Sequence, residues 1–269
     1  MNENMENKTP ARTTICVGRA SIAVSALSAD GTATYEPYAV KNGISLAANM
    51  RQALKDTAAL SQAGQRVTVM VDSRAMLVPT DLYDEQQQDV LFRHSFPKSG
   101  ADSVMSNVLP DLNCVALYAI NKDLKMVIDD RFGEARYICA TAPVWRYLHQ
   151  RSFTGTRSKL YGYFHDGVLD VFSFQQNRFK FYNTFDTERT SDALYYLLYV
   201  WKQLMMRPEH DELHLVGTLP GEGDAFAEEL RQYLKRVYII HPAGEFNRSP
   251  VTQIPDMPFN LMTLYIKGR

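Results

Sequence analysis

The chain is poor in cysteine, balanced in charge and free of long apolar runs, and each lack closes off a class of protein. Its three cysteines, Cys16, Cys114 and Cys139, are odd in number, far apart and each set in an apolar strand-like run. That pattern fits buried reduced thiols and no disulfide scaffold. With 29 Lys+Arg against 30 Asp+Glu the net charge is -1, so no global field draws the protein to nucleic acid or to an anionic membrane. No stretch approaches the roughly 20 apolar residues of a membrane span. The opening MNENMENKTPAR is polar and lacks the apolar run of a signal peptide. The expectation is a cytoplasmic protein with a disordered segment at 1–12, no membrane insertion and no nucleic-acid partner. There is no G-x-S-x-G, and Cys16 has no evident histidine partner, so nucleophilic catalysis finds no support.

What is present is a repeated order of elements. Residues 159–241 read KLYGYFHDGVLDVFSF, then RFKFYNTF, then the helical pattern SDALYYLLYVWKQLMM, the strand ELHLVGT and a second helix DAFAEELRQYLKR. Leu194, Leu197, Leu198, Trp201 and Leu204 share one helical face, as burial against a sheet requires. The first half starts the same way. Residues 13–17 and 21–27 form two strands joined at Gly18-Arg19-Ala20, and Asp30-Gly31 turns the chain into a third strand, 34–40. A helix over 44–60, a strand at 66–71, a short extended run at 75–78 and a polar helix over 81–92 follow. Residues 96–113 show no period and are expected to be a long connection. A strand at 114–120, a helix over 122–132, a strand at 135–140 and a helix over 143–151 complete the half.

The sequence thus divides into a first lobe at 13–152, the linker FTGTRS at 153–158, and a second lobe at 159–269. The tail carries Pro242, Pro250, Pro255 and Pro258 and is expected to be mostly loop, with a short element at 261–266. At 269 residues each half can bury a core of its own. The pattern predicts an α/β protein of two ribonuclease H-like lobes, mixed sheets flanked by helices, made by duplication.

Three constellations suggest chemistry and are better explained by structure. His210-Asp211-Glu212-Leu213-His214 has two imidazoles four apart, but Pro208 precedes it and a strand starts near Leu213, so no helix aligns them on a metal. Asp129-Asp130, and Asp166 with Asp170, could mimic a nuclease's acids; without an acid on the first strand they read as surface residues. The aromatics between Tyr161 and Phe185 lack the glycine spacing of an RNA-stacking sheet and read as core.

TTICVGRASIAVSAL, VTVMVDSRAMLVPTDLYDEQQQDV and HLVGTLPGEGDAFAEELRQYL resemble, in that order, the first phosphate loop, the next strand and helix, and the adenosine-contacting strand, loop and helix of actin-like ATPases. The resemblance runs from about Thr13 to His241. It is nearest to the type IV pilus assembly ATPase-like and cell-division FtsA-like branches, and to an uncharacterised Bacteroidetes family with a degenerate, pseudo-actin-like fold. The resemblance implies an Asp-x-Gly in each phosphate loop, whose acid holds magnesium-bound water. Here the first reads Cys16-Val17-Gly18 and the second falls at Tyr163-Phe164-His165, before the turn His165-Asp166-Gly167. A thiol and a phenol are poor magnesium ligands. The glycine pair of the adenosine loop reads Gly217-Thr218, with Gly221 and Gly223 behind.

The sequence therefore predicts no catalytic residue, no metal and no cofactor. It leaves a vestigial cleft of Cys16, Gly18, Arg19, Ser21, Tyr163, His165, Gly217, Thr218 and Gly221. The leading expectation is a binding or scaffolding protein with a protein partner, including a homodimer. The alternative is nucleotide binding or weak ATPase activity through Gly18, Arg19, Ser21, Gly217 and Thr218.

Overall fold

An antiparallel meander opens the chain: β1 (Arg12–Val17), β2 (Ile22–Leu27) and β3 (Ala33–Tyr38). The computed structural model describes residues 12–19, 21–28, 31–61, 63–100, 102–176 and 178–267. Residues 1–11 of the segment expected to be disordered, and Ala20 and Asp30 of the two expected turns, lie outside these. Arg12, the last residue of that segment, starts β1.

The helix expected over 44–60 is two helices, α1 (Leu46–Asp56) and α2 (Ala58–Ser61). Thr57 makes the break with an extended backbone, φ -97° and ψ 116°. Its N–H closes α1 on the Ala53 carbonyl, and its carbonyl accepts from the amides of Leu60 and Ser61. Next come β4 (Arg66–Val71) and β5 (Ala75–Pro79). The polar helix expected over 81–92 is shorter, α3 (Gln88–Ser95), preceded by two 3-10 turns, the second begun by the Asp84 carboxylate accepting from the Gln86 amide at 2.9 Å.

The expected connection at 96–113 contains a strand, β6 (Ser103–Leu109), held by antiparallel pairing along β7 (Cys114–Ile120). Most of its side chains are half-buried on both faces, so alternation is absent and the partner strand decides its conformation. The half ends with α4 (Lys122–Arg131), β8 (Glu134–Cys139) and α5 (Ala142–Ser152).

The second half repeats the order: β9 (Lys159–His165), β10 (Val168–Gln175), β11 (Arg178–Asp186), α6 (Thr190–Gln203), β12 (Glu212–Gly217), α7 (Gly223–Arg231) and β13 (Val237–Ile239). Two five-stranded mixed sheets result, ordered β3-β2-β1-β4-β8 and β11-β10-β9-β12-β13, with β5-β7-β6 as a separate three-stranded sheet. The corresponding order of the two large sheets is the duplication that the sequence pattern implied.

Alternation along the second sheet assigns its two faces. Leu160, Leu169, Val171, Leu213 and Leu215 pack under α6 and α7 with Leu197, Trp201, Phe226 and Leu230. Tyr161, Tyr163, Phe172 and Val216 point the other way and join the core of the first half. The tail, grouped with the second half on sequence, folds as α8 (Pro242–Glu245) and the helix α9 (Phe259–Lys267). It returns to the first half, where α9 lies along α5 and Leu261, Met262 and Tyr265 enter that core. Its prolines sit before the helix rather than within it, at positions that do not interrupt an i to i−4 ladder.

Candidate functional site

Two hairpin turns meet at the C-terminal ends of β1 and β9. In the first, the Gly18 amide donates to the Ser21 carbonyl at 2.9 Å. A Cβ on Gly18 would lie 2.1 Å from Ser21 Oγ and 2.6 Å from Asp166 Oδ2, so any larger residue would displace these two side chains from each other. The second turn, Asp166-Gly167, has φ of 42° and 73°, the left-handed pair of a two-residue hairpin. It places the Asp166 carboxylate against Gly18, where Ser21 Oγ donates to it at 3.2 Å. Asp186, at the end of β11, accepts from Arg19 at 2.8 Å and from Arg74. These surface pairs are half-exposed, and each contributes at most about 1 kcal/mol.

The strongest link is buried. His165 Nδ1 lies 2.8 Å from Asp72 Oδ2 of the first half, and its Nε2 lies 3.1 Å from Asp170 Oδ2. Carboxylates on both ring nitrogens favour protons on both, that is, the imidazolium. Burial opposes that charge, but the hydrogen bonds to Asp170 and Asp72 outweigh it and push the His165 pKa up to about 10. The Tyr163 ring stacks on the imidazolium at 4.5 Å and 22°, a cation–π contact.

Asp170 is 2 % exposed and accepts further hydrogen bonds from Thr141 at 3.2 Å, from Tyr182 at 3.4 Å and from Thr184. It is not the surface acid expected from the sequence. Asp72, not among the residues singled out on sequence, stands just beyond β4, its amide donating to the Val17 carbonyl at 2.8 Å. An acid directly after the apolar run VTVMV was the available signal, since strand ends place polar side chains at the mouth of a sheet. Burial, then Asp72 and Asp166, push the Cys16 thiol up to about 12, so it stays neutral and unreactive.

Gly217 has a structural reason to be glycine. At φ 93° a Cβ would sit 2.0 Å from the Phe164 carbonyl oxygen and 3.1 Å from the Tyr163 ring. The Thr218 amide donates to the same carbonyl at 3.0 Å. Close approach thus serves β9 and supports the ring beneath His165. Gly221, with φ 61°, faces Thr190 at the start of α6 and is apart from the His165 cluster. His210 and His214 do not converge: the first turns to Asp211 at 3.2 Å, the second to Glu212 at 3.1 Å between the rings of Tyr161 and Tyr238.

The paired sheets and facing turns are those of the actin-like ATPase fold, as the resemblance implied. A protein of unknown function from Bacteroides thetaiotaomicron with this fold is 27% identical and has a TM-score of 0.81 over 94% of this chain and 99% of that one. PilM in the PilM-PilN type IV pilus biogenesis complex is similar in fold, with TM-score 0.53 and 10% identity over 96% and 98% of the two chains. Residues 8–237 match the family described as protein of unknown function DUF3822, and the chain belongs to that family. No curated protein sequence matches significantly.

Proposed function

We propose that this is a non-enzymatic binding or scaffolding protein of the cytoplasm, an actin-like fold whose inter-half cleft is latched shut and whose surface serves a protein partner. The His165 bridge between Asp72 and Asp170 is the observation that carries this reading. It sets a buried cation between acids of the two halves, in the region where the fold's phosphate loops face one another. Hydrated magnesium and a polyphosphate do not fit these residues. Asp72 and Asp170 are engaged by the imidazolium, Asp170 further by Thr141, Tyr182 and Thr184, and the Gly18 amide by its own turn.

Charge supports the same reading. Asp72, Asp166, Asp170 and Asp186 against Arg19, Arg74 and protonated His165 leave the cluster one negative charge in excess, and each cation already has a carboxylate. Such a cluster repels a polyphosphate. Three free cysteines, Cys114 and Cys139 among them buried, accord with a reducing compartment. Among the described residues no helix is long and apolar enough to cross a membrane. The PilM-PilN complex offers a precedent in fold only.

Thermal melting with ATP, ADP and GTP at millimolar concentration, with and without magnesium, tests the proposal. A ligand at a hundred times its Kd stabilises by about 2.7 kcal/mol, which a melting curve reads as several degrees. The expected result is no shift with any nucleotide. A magnesium-dependent rise with ATP would overturn the reading and restore the alternative through Gly18, Arg19, Ser21, Gly217 and Thr218.

A further inference from the structure

The first sheet carries a second recess at the opposite end of β1 from the two turns. Cross-strand register puts Thr14 of β1 beside Thr68 of β4, and Thr68 beside Arg136 of β8. This row and Ile138, two residues on and therefore on the same face, form part of the recess. Strand β6, the N-terminal part of α5 and the α9 residues Thr263 to Tyr265 complete the lining. The trench holds about 580 Å³, inside the range of roughly 300–1,000 Å³ usual for small-molecule sites.

Its chemistry is one-sided. Arg12, Arg136 and Arg146 all line it, and among the described residues no Asp or Glu does. Asp111 holds Arg146 at 2.8 Å from outside the lining and so fixes the direction of that guanidinium. Arg136 is exposed and has no ion-pair partner among the described residues. Around the arginines are apolar groups: Leu27, Leu109, Ile138, Pro143 and Leu264. Guanidinium groups bind carboxylate and phosphate oxygens in pairs of charge-assisted hydrogen bonds, whereas the apolar lining rewards a hydrocarbon body that leaves water.

We infer that this trench is a binding site for a small organic anion, a carboxylate or phosphate head on an apolar body, read by Arg136 together with Arg12 and Arg146. The site is built on the first sheet and the tail helix α9, at the opposite end of β1 from the two turns, so it stands whether or not the cleft between the halves admits a nucleotide.

Calorimetric titration of the full chain with octanoate, octyl phosphate, octanol and inorganic phosphate, all below micellar concentrations, tests the inference. Octanoate, octyl phosphate or both bind saturably, and the comparison of the two tells which head the arginines prefer. Octanol and inorganic phosphate, each carrying half of the recognised chemistry, bind at least about tenfold more weakly, octanol for want of a charged hydrogen bond and phosphate for want of a hydrocarbon chain, of which each buried CH2 contributes about 0.8 kcal/mol. Arg136→Glu weakens the anions by at least about tenfold and leaves the melting temperature of the free protein unchanged, since the side chain is exposed; Arg136→Gln serves in its place should the charge reversal disturb folding. The inference is overturned if neither octyl anion binds, if octanol or phosphate alone matches them, or if the Arg136 variants bind as the parent does.

Discussion

Replacing His165 with alanine lowers the stability of the protein by about 3–5 kcal/mol, the loss typical when one partner is removed from a buried ion pair. The size follows from what is left behind. Asp72 and Asp170, 14 % and 2 % exposed at their side chains, would face each other across a void without the cation that compensates them. Tyr163 would lose the ring stacked on it. The exposed pairs Arg19–Asp186 and Arg74–Asp186 do not compensate, because pairs of that kind contribute at most about 1 kcal/mol each. Urea unfolding of the parent and His165→Ala measures the difference. A loss below about 1 kcal/mol, the ceiling for an exposed pair, would mean that the histidine is a surface residue and not the latch between the halves.

Trp145→Ala has a comparable cost, about 3–5 kcal/mol for a buried tryptophan. Trp145 stands on α5 of the first half with no exposed surface. Its ring meets Phe179 edge-on at 5.6 Å and Tyr182 at 4.9 Å, both on β11 of the second half. The same continuous core takes in Tyr161, Tyr163, Phe172 and Val216 from the second sheet. The halves are thus joined by packed aromatic surface as well as by the latch, and a hinge there would have to expose that surface to water. Besides the loss of stability, the variant should show faster limited proteolysis at the exposed residues 153–158 that connect the halves. Unchanged proteolysis with unchanged stability would mean that the aromatic contact is incidental.

The fold was legible in the sequence wherever burial is one-sided or complete. The helical face of Leu197 and Trp201 and the apolar runs of β1, β4 and β7 leave a clear period or a clear block. Strand β6 was hidden because most of its residues are half-buried on both faces, whereas α9 (Phe259–Lys267) stands where a short element at 261–266 was expected and is longer by a few residues. Thr57 divided a helix that apolar spacing alone would have continued, since extended backbone at one β-branched residue leaves no mark on the period.

The site was legible only in outline. Gly18, Tyr163, His165 and Gly217 could be placed by the resemblance to the phosphate and adenosine loops of actin-like ATPases. Partnership across 93 residues, as between Asp72 and His165, has no local signal. Nor does the burial of Asp170, a residue type that is almost never fully buried unless paired. The sequence carries Cys16 and Tyr163 at the positions where the resemblance implies acids; the three-dimensional arrangement shows that three aspartates, Asp72, Asp166 and Asp170, gather beside the two turns, with a histidine held between two of them.

Nitrogen NMR of the His165 ring across pH 5 to 10 tests that arrangement most directly. A histidine whose folded pKa lies above its unfolded value stabilises the fold fully below the unfolded value of about 6.5, and this contribution is lost as pH rises through the folded one. The account expects both ring nitrogens to remain protonated through neutral and mildly alkaline pH and to titrate at about 10, with the stability advantage over His165→Ala shrinking from about pH 6.5 upward. Titration near the ordinary histidine value, with one nitrogen bare at neutral pH, would contradict it: the cation between Asp72 and Asp170 would be absent, and with it the reason for a closed cleft.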